Sequence, residues 1–382
     1  MSNFFKKNQD LSFLGLSLII PSLLIAGFWF ILAIFIEPDE YGKIAFVLAI
    51  AMLAVRICYL GVGDAVIVNS AKDPKVIPTI YFVTILSGII ASIIVYFVYF
   101  DIGISVYVIG FVLFSLTVTK MLGKQQYKKY SYSLIIQSIL QLGLTLLLYF
   151  LMGIGGVVLG FGISFLFTAY LVIPTLREYK INLAYFKSNL FFIGPSYIAT
   201  LLKSASGTID KIILLPILGY AAIGNYHLAL QFFSVLLIFP GFLIKYLLPQ
   251  RSVGKENKKF EIYGILISIT LGVLGFFLAP VVVPMIFPKF LVTIEILPMI
   301  SLAIIPKVIT SLILVRFTAK KQSVPPLLGG SAFTVIHLGM LLILADTIGL
   351  FAVGLGFLLG SIFETIILYM IYLKGRKNAY GI

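Results

Sequence analysis

The sequence predicts an all-α, polytopic membrane protein of about twelve transmembrane helices in two parallel six-helix bundles. Three observations carry that prediction. First, 61% of the 382 residues are hydrophobic and only 11% are charged. A mean hydropathy of +1.13 is more apolar surface than a soluble chain of this size could cover with polar groups. Second, apolar runs of about 20 residues recur along the whole chain, each long enough to cross ~30 Å of hydrocarbon as a helix. Third, the chain repeats itself. Ten of the 28 residues from Gln141 to Thr168 recur without a gap between His337 and Glu364, at an offset of 196 residues. The clearest stretch pairs Gly153-Ile-Gly-Gly-Val-Val-Leu-Gly-Phe161 with Gly349-Leu-Phe-Ala-Val-Gly-Leu-Gly-Phe357. A membrane protein built twice is the architecture of a transporter.

The first apolar run, Leu11–Ile36, follows Lys6 and Lys7 and has no Ala-x-Ala cleavage pattern, so it reads as a retained span rather than a signal peptide. Spans 2 to 6 follow at 42–60, 77–99, 102–119, 132–152 and 153–175. A polar linker at 177–189 carries Arg177, Glu178, Lys180 and Lys187. Spans 7 to 12 lie at 190–218, 223–248, 261–287, 290–315, 325–345 and 349–373. The expected organisation is therefore an N-terminal bundle at 1–176, a cytoplasmic linker at 177–189 and a C-terminal bundle at 190–382. Six spans is an even number, so both halves insert the same way and the repeat is parallel. A second, weaker correspondence pairs Tyr41-Gly-Lys-Ile-Ala-Phe46 with Ile223-Gly-Asn-Tyr-His-Leu228, at the starts of spans 2 and 8.

Prolines concentrate in the second half, where Pro195, Pro216, Pro240, Pro280, Pro284, Pro298 and Pro306 fall inside spans. Each removes a backbone hydrogen bond and kinks its helix. The kinks are either structural or a sign that the second half bends more during transport. The pairs Gly156/Gly160 and Gly356/Gly360 read as close helix packing rather than as oligomerisation motifs.

The net charge of +14 raises the question of nucleic acid, but its placement answers against it. With the N-terminus inside, the inner loops and tails hold 21 of the 28 basic residues. The outer turns hold Glu37, Asp39, Glu40, Asp101 and Asp346. That asymmetry is the positive-inside rule, and it puts both termini in the cytoplasm. A single cysteine, Cys58, excludes an intramolecular disulfide and offers no metal cluster. No loop is long enough to fold as a domain, and no phosphate-binding loop, His-Glu-x-x-His or Gly-x-Ser-x-Gly motif occurs. The chain reads as a non-enzyme with no ATP engine and no cofactor.

Charges inside the spans are the candidate functional residues. Lys203 and Lys307 each lie more than ten residues from either end of their apolar runs. A lysine at that depth costs ~2.5–3.5 kcal/mol on the insertion scale, so it normally faces protein or water. In span 7 Lys203 and Asp210 are seven residues apart, which on a continuous helix puts them on one face. Lys203, Lys211, Lys307 and Arg56 outnumber the buried acids Asp210 and Glu364. That surplus points to a hydrated cationic cavity for an anionic headgroup; the plainer reading is a polar stripe whose charges neutralise one another. Arg56 also lies close enough to a span end to snorkel. His337 and Glu364 occupy mid-span positions whose repeat equivalents are Gln141 and Thr168. They are candidates either for helix-to-helix hydrogen bonds or for proton or sodium coupling, since a histidine titrates near neutrality.

Several segments together carry a resemblance. Asp210-Lys-Ile-Ile-Leu-Leu-Pro-Ile-Leu-Gly-Tyr-Ala-Ala-Ile-Gly-Asn-Tyr226 resembles the span 7–8 signature of polysaccharide flippases, and Glu40-Tyr-Gly42, Leu60-Gly-Val-Gly-Asp64 and Gly153-Ile-Gly-Gly156 fit equivalent places in the first half. Over nearly its whole length the chain is similar to Wzx-type O-antigen and polysaccharide transporters of the multidrug/oligosaccharidyl-lipid/polysaccharide (MOP) superfamily. The resemblance implies a MATE-like V of two bundles around a central cleft, working by alternating access in the cell membrane. It also implies a polyprenyl-pyrophosphate-linked oligosaccharide as cargo, flipped from the inner to the outer leaflet, with membrane lipids and glycan-assembly proteins as partners. Twelve spans rather than fourteen sets the chain apart from lipid II flippases. Two alternatives stand beside this reading. One is a cation-coupled multidrug exporter of the same fold; the other, from a different class, is a membrane glycan polymerase or a scaffold.

Overall fold

A computed structural model of the chain describes residues 2–184, 207–252, 257–319, 322 and 324–380. The described residues form helices joined by short turns, as hydrocarbon requires: with no water to satisfy a free N–H or C=O, backbone bonds close within each segment. The helices are α1 (Ser2–Phe35), α2 (Pro38–Cys58), α3 (Gly63–Lys72), α4 (Ile77–Tyr99), α5 (Ile102–Gly123), α6 (Tyr127–Met152), α7 (Ile154–Phe165) and α8 (Val172–Arg177). They continue as α9 (Ile209–Leu236), α10 (Ile238–Ser252), α11 (Lys258–Ile286), α12 (Leu297–Leu302), α13 (Ile304–Ala319), α14 (Val324–Ile348) and α15 (Leu350–Tyr380).

Eleven stretches of the described residues are long and apolar enough to span a membrane. One of them, Ile209–Ile244, runs 36 residues and is broken at Gly219, where φ is 79° and ψ −178°. Only glycine adopts that backbone cheaply. The break falls where expected spans 7 and 8 meet, so the eleven stretches carry segments of all twelve spans. The upstream part of span 7, with Lys203 and Pro195, lies outside the described residues, as do linker positions 185–189.

The prolines account for other breaks. A proline has no N–H for the carbonyl four residues back. Pro240 faces Leu236 in that way and α9 ends at Leu236; Pro306 faces Leu302 and α12 ends at Leu302. Pro280 and Pro284 are carried inside the continuous helix α11, and Pro216 lies three residues before the break of α9 at Gly219.

The chain divides into two compact units, Met1–Phe28 with Phe46–Ser204, and Trp29–Ala45 with Ala205–Ile382. In the first unit α4 and α5 pack together, and α7 packs against both α5 and α6. The Asp101 carboxylate caps α5 by accepting from the Gly103 and Ile104 N–H groups at 2.7 and 3.3 Å. The α5–α6 turn is a Schellman closure: the Gln126 N–H reaches the Met121 carbonyl (2.9 Å) and the Gln125 N–H reaches the Leu122 carbonyl (3.0 Å). Gln125 takes the left-handed position, φ 56°, at a cost of roughly 1–2 kcal/mol for an L-residue. The sixth span is helix only in part, since residues Leu166–Leu171 tighten to a 3-10 turn between α7 and α8. Gln137, Ser138, Gln141 and Thr145 form a buried polar stripe on α6.

In the second unit α14 and α15 pack most extensively, the counterparts of α6 and α7 in the repeat. A side chain at Gly160 would meet Thr145, and at Gly356 and Gly360 it would meet His337 and Phe333. The glycine pairs are therefore helix-packing positions, the expected role.

The segment Trp29–Ala45 joins the second unit through an aromatic cluster in which Trp29 and Tyr41 pack on His227 with centroids 4.3 and 5.6 Å away. Gly42 and Gly224 let two backbones meet: a Cβ at Gly42 would overlap the Tyr220 carbonyl, and one at Gly224 the Pro38 carbonyl. Gly224→Val should accordingly destabilise the protein by about 3 kcal/mol or more, read as a lowered melting temperature in detergent. Gly330→Val, at a helical position with open space, is the control and should melt near wild type.

Candidate functional site

The second unit gathers five of the sequence candidates into one buried seam. It begins where α9 starts. Gly207 has φ +89°, outside helical geometry, and Asp210 sits in the first turn of α9. Its carboxylate accepts from the Gly207 N–H (3.1 Å), the Lys211 N–H (2.8 Å) and the Tyr226 hydroxyl (2.6 Å). Backbone donors at a helix N-terminus favour a negative charge there. Asp210 and Tyr226 are sixteen residues apart, which on a straight helix is ~24 Å. Their hydrogen bond therefore requires the chain to fold back at Gly219, and the seventh and eighth spans pair as a hairpin.

Lys211 lies with its Nζ donating to the Gly207 carbonyl at 2.7 Å, 4.0 Å from Asp210 and 5.6 Å above the Tyr226 ring. His337, from α14, brings its Nε2 to 3.4 Å from the Tyr226 hydroxyl and 3.7 Å from Asp210. Asp210, Tyr226 and His337 are each 0% exposed. The His337 Nδ1 has no hydrogen-bond partner among the described residues. One acid, one lysine, a phenol and an imidazole thus share a buried pocket within the second unit.

The seam continues along α14. Phe333, one turn from His337, stacks on the imidazole with centroids 5.6 Å apart. On it lies Lys307 from α13, its Nζ 3.9 Å from the ring centroid. Lys307 in turn pairs with Glu364 of α15 at 2.6 Å. Thr310 and Thr365 hydrogen-bond beside this pair at 2.8 Å, and Thr365 donates to the Pro306 carbonyl at 3.0 Å. Asp210, Lys211, His337, Lys307 and Glu364, scattered over 155 positions of sequence, become one interior feature.

The remaining candidates lie elsewhere. Gln141, in the first unit, accepts from the Gln137 amide at 2.8 Å, and that amide also reaches Ser164 at 3.2 Å. Arg56 is half-buried near the end of α2, its Nε buried without a partner among the described residues. Lys203 lies outside the described residues.

The shared face expected of Lys203 and Asp210 falls outside the described residues, because Lys203 does. Of the four bases set against two acids, Lys211 and Lys307 each have a carboxylate within 4.0 Å in the same unit.

Sequence reasoning also passed over participants. Tyr226 was one tyrosine among many, although the polar run Asn225-Tyr226-His227 inside an apolar span was its signal. Phe333 gave none beyond its four-residue spacing from His337. Glu261 was not singled out either; it joins Arg251 and Arg316, the latter at 2.8 Å, and so ties α10, α11 and α13 together at their basic ends. Among the described residues, no group of three or more His, Cys, Asp or Glu side chains could hold a metal ion.

No family model matches the chain, and no curated protein does. Its fold, however, has close counterparts among solved structures. A multidrug resistance MATE family transporter of the MOP superfamily, in an inward-facing conformation, superposes with a TM-score of 0.71 at 15% identity, over 95% of this chain and 98% of that one. The lipid II flippase MurJ, in an inward closed conformation, gives 0.70 at 14% identity, over 90% of this chain and 87% of that one. A mutant of the Vibrio cholerae MATE transporter VcmN gives 0.61 at 14% identity, over 99% of both chains. The chain is a multi-pass membrane protein with the MATE and MurJ fold.

Proposed function

We propose that the protein is a transporter that flips a polyprenyl-pyrophosphate-linked oligosaccharide from the inner to the outer leaflet by alternating access. The observation that carries this reading is the pairing of the buried acids. A carrier of cationic drugs needs carboxylates that its cargo can reach. Here Asp210 and Glu364 already face Lys211 and Lys307, so a cationic cargo would have to displace a tethered ammonium from a site where an unpaired charge is expensive. An anionic headgroup meets the opposite situation, because it can take a lysine as its own counter-ion while a proton settles the carboxylate left behind. Of the two coupling ions we favour protons over sodium, on the placement of the His337 Nε2 against the Asp210 carboxylate. The fold shared with a lipid II flippase is compatible with a lipid-linked cargo, and the fold shared with MATE transporters keeps the multidrug reading as the alternative.

The test is flipping by purified protein in vesicles, with a fluorescent pyrophosphate-linked polyprenyl oligosaccharide on one leaflet and an imposed pH gradient. Wild type should move it, and Lys307→Ala and Lys203→Ala should each slow movement at least tenfold. Unimpaired flipping by both variants would reject the cationic-site reading. Uptake of a lipophilic cationic dye with no movement of the lipid would establish the multidrug alternative instead.

A further inference from the structure

The first unit holds a cavity of about 480 Å³, a volume typical of small-ligand sites, that the transport reading does not use. It opens where α5, α6 and the 3-10 to α8 stretch of the sixth span converge. Lys120, Lys124 and Lys129 line it against a single carboxylate, Glu178. That carboxylate serves two of them, at 2.7 Å from Lys120 and 4.0 Å from Lys124. Lys129 has no acidic partner among the described residues. Deeper in the same wall the Thr168 hydroxyl is buried, 2% exposed, and makes no hydrogen bond among the described residues. A buried hydroxyl normally finds a partner, so its orphan state in a cationic cavity points to a ligand with acceptor oxygens.

The cavity is built rather than incidental. The Schellman turn at Gln125 holds Lys124 and Lys129 on either side of a tight reversal. Pro174, four residues beyond Tyr170, leaves that carbonyl without a helical donor, and the 3-10 turn there shapes the wall that carries Thr168. The mouth has a different character. Tyr132, Ile136 and Tyr170 line it and are exposed, Tyr170 at 68%, on segments long and apolar enough to span a membrane. A cationic floor beneath an aromatic and aliphatic rim fits a phosphate headgroup with its acyl chains still in the bilayer.

We infer that this cavity is a binding site for a lipid phosphate monoester, whose two negative charges match the excess of lysines and whose oxygens supply the acceptor that Thr168 lacks. The site is independent of the cargo proposal, because binding is measured without transport. The full chain, purified in detergent, is loaded with dioleoyl phosphatidic acid or dioleoyl phosphatidylcholine, and retained lipid is counted by native mass spectrometry. Phosphatidic acid should be retained at least tenfold better than phosphatidylcholine. The Lys124→Gln/Lys129→Gln variant, altered at two exposed positions that leave the fold intact, should lose that preference. The Lys124→Arg/Lys129→Arg variant should keep it, and Thr168→Val should weaken it about threefold. Equal retention of the two lipids by wild type, or an undiminished preference in the glutamine variant, would overturn the proposal. Displacement of the lipid by millimolar glycerol 3-phosphate would overturn its assignment to a lipid in favour of a soluble phosphate ester.

Discussion

Replacing Asp210 with alanine should abolish transport and lower stability by about 3–5 kcal/mol, the cost of leaving a buried charge without its partner. The carboxylate accepts three hydrogen bonds and faces both Lys211 and His337. Its loss strands an ammonium, a phenol and a helix N-terminus in a buried pocket. Asp210→Asn keeps an acceptor for Tyr226 but not the charge, and should cost less, about 1.5–3 kcal/mol, the worth of hydrogen bonds to a charged group. Thermal unfolding in detergent reads both effects without assuming any cargo. Wild-type stability in Asp210→Ala would mean that the seam does not hold the seventh and eighth spans together.

The second large effect concerns Lys307 and Glu364. Their separation of 2.6 Å and shared burial predict that Lys307→Met alone destabilises by about 3 kcal/mol, at the lower edge of the range for broken buried pairs because both side chains keep some exposure. Part of that loss is the cation–π contact with Phe333. Glu364→Gln should cost a similar amount. The double variant Lys307→Met/Glu364→Gln should cost clearly less than the two single losses combined, since no unpaired charge remains. A double-mutant cycle on melting curves measures that coupling, and strictly additive losses would refute it. In vesicles the double variant separates stability from function. It should fold well and still fail to flip an anionic lipid, because the ammonium is gone.

The composition and the repeat were enough to read the class of fold. Apolar runs long enough to cross a bilayer leave the backbone no alternative to helices, and the 196-residue offset reappears as the α6–α7 and α14–α15 pairs. The glycines at 156, 160, 356 and 360 were readable for the same reason, since four-residue spacing of the smallest residue marks a close helix contact. The candidate site was legible in part. Depth within a span singled out Asp210, His337, Lys307 and Glu364, because a polar group in hydrocarbon has few neutral explanations. Depth could not say which charge meets which.

What the sequence determined by itself is thus local and additive: transmembrane helices, their approximate ends, the doubling of the chain, and a short roster of residues too polar for their surroundings. The tertiary structure alone decided the partnerships. Whether a buried lysine is a spare cation or one half of a pair depends on a few ångströms between helices distant along the chain. A left-handed glycine at position 219 turns a sequence separation of sixteen residues into a hydrogen bond. Charge pairing falls off with distance in space, and sequence order carries no measure of that distance until the helices have packed.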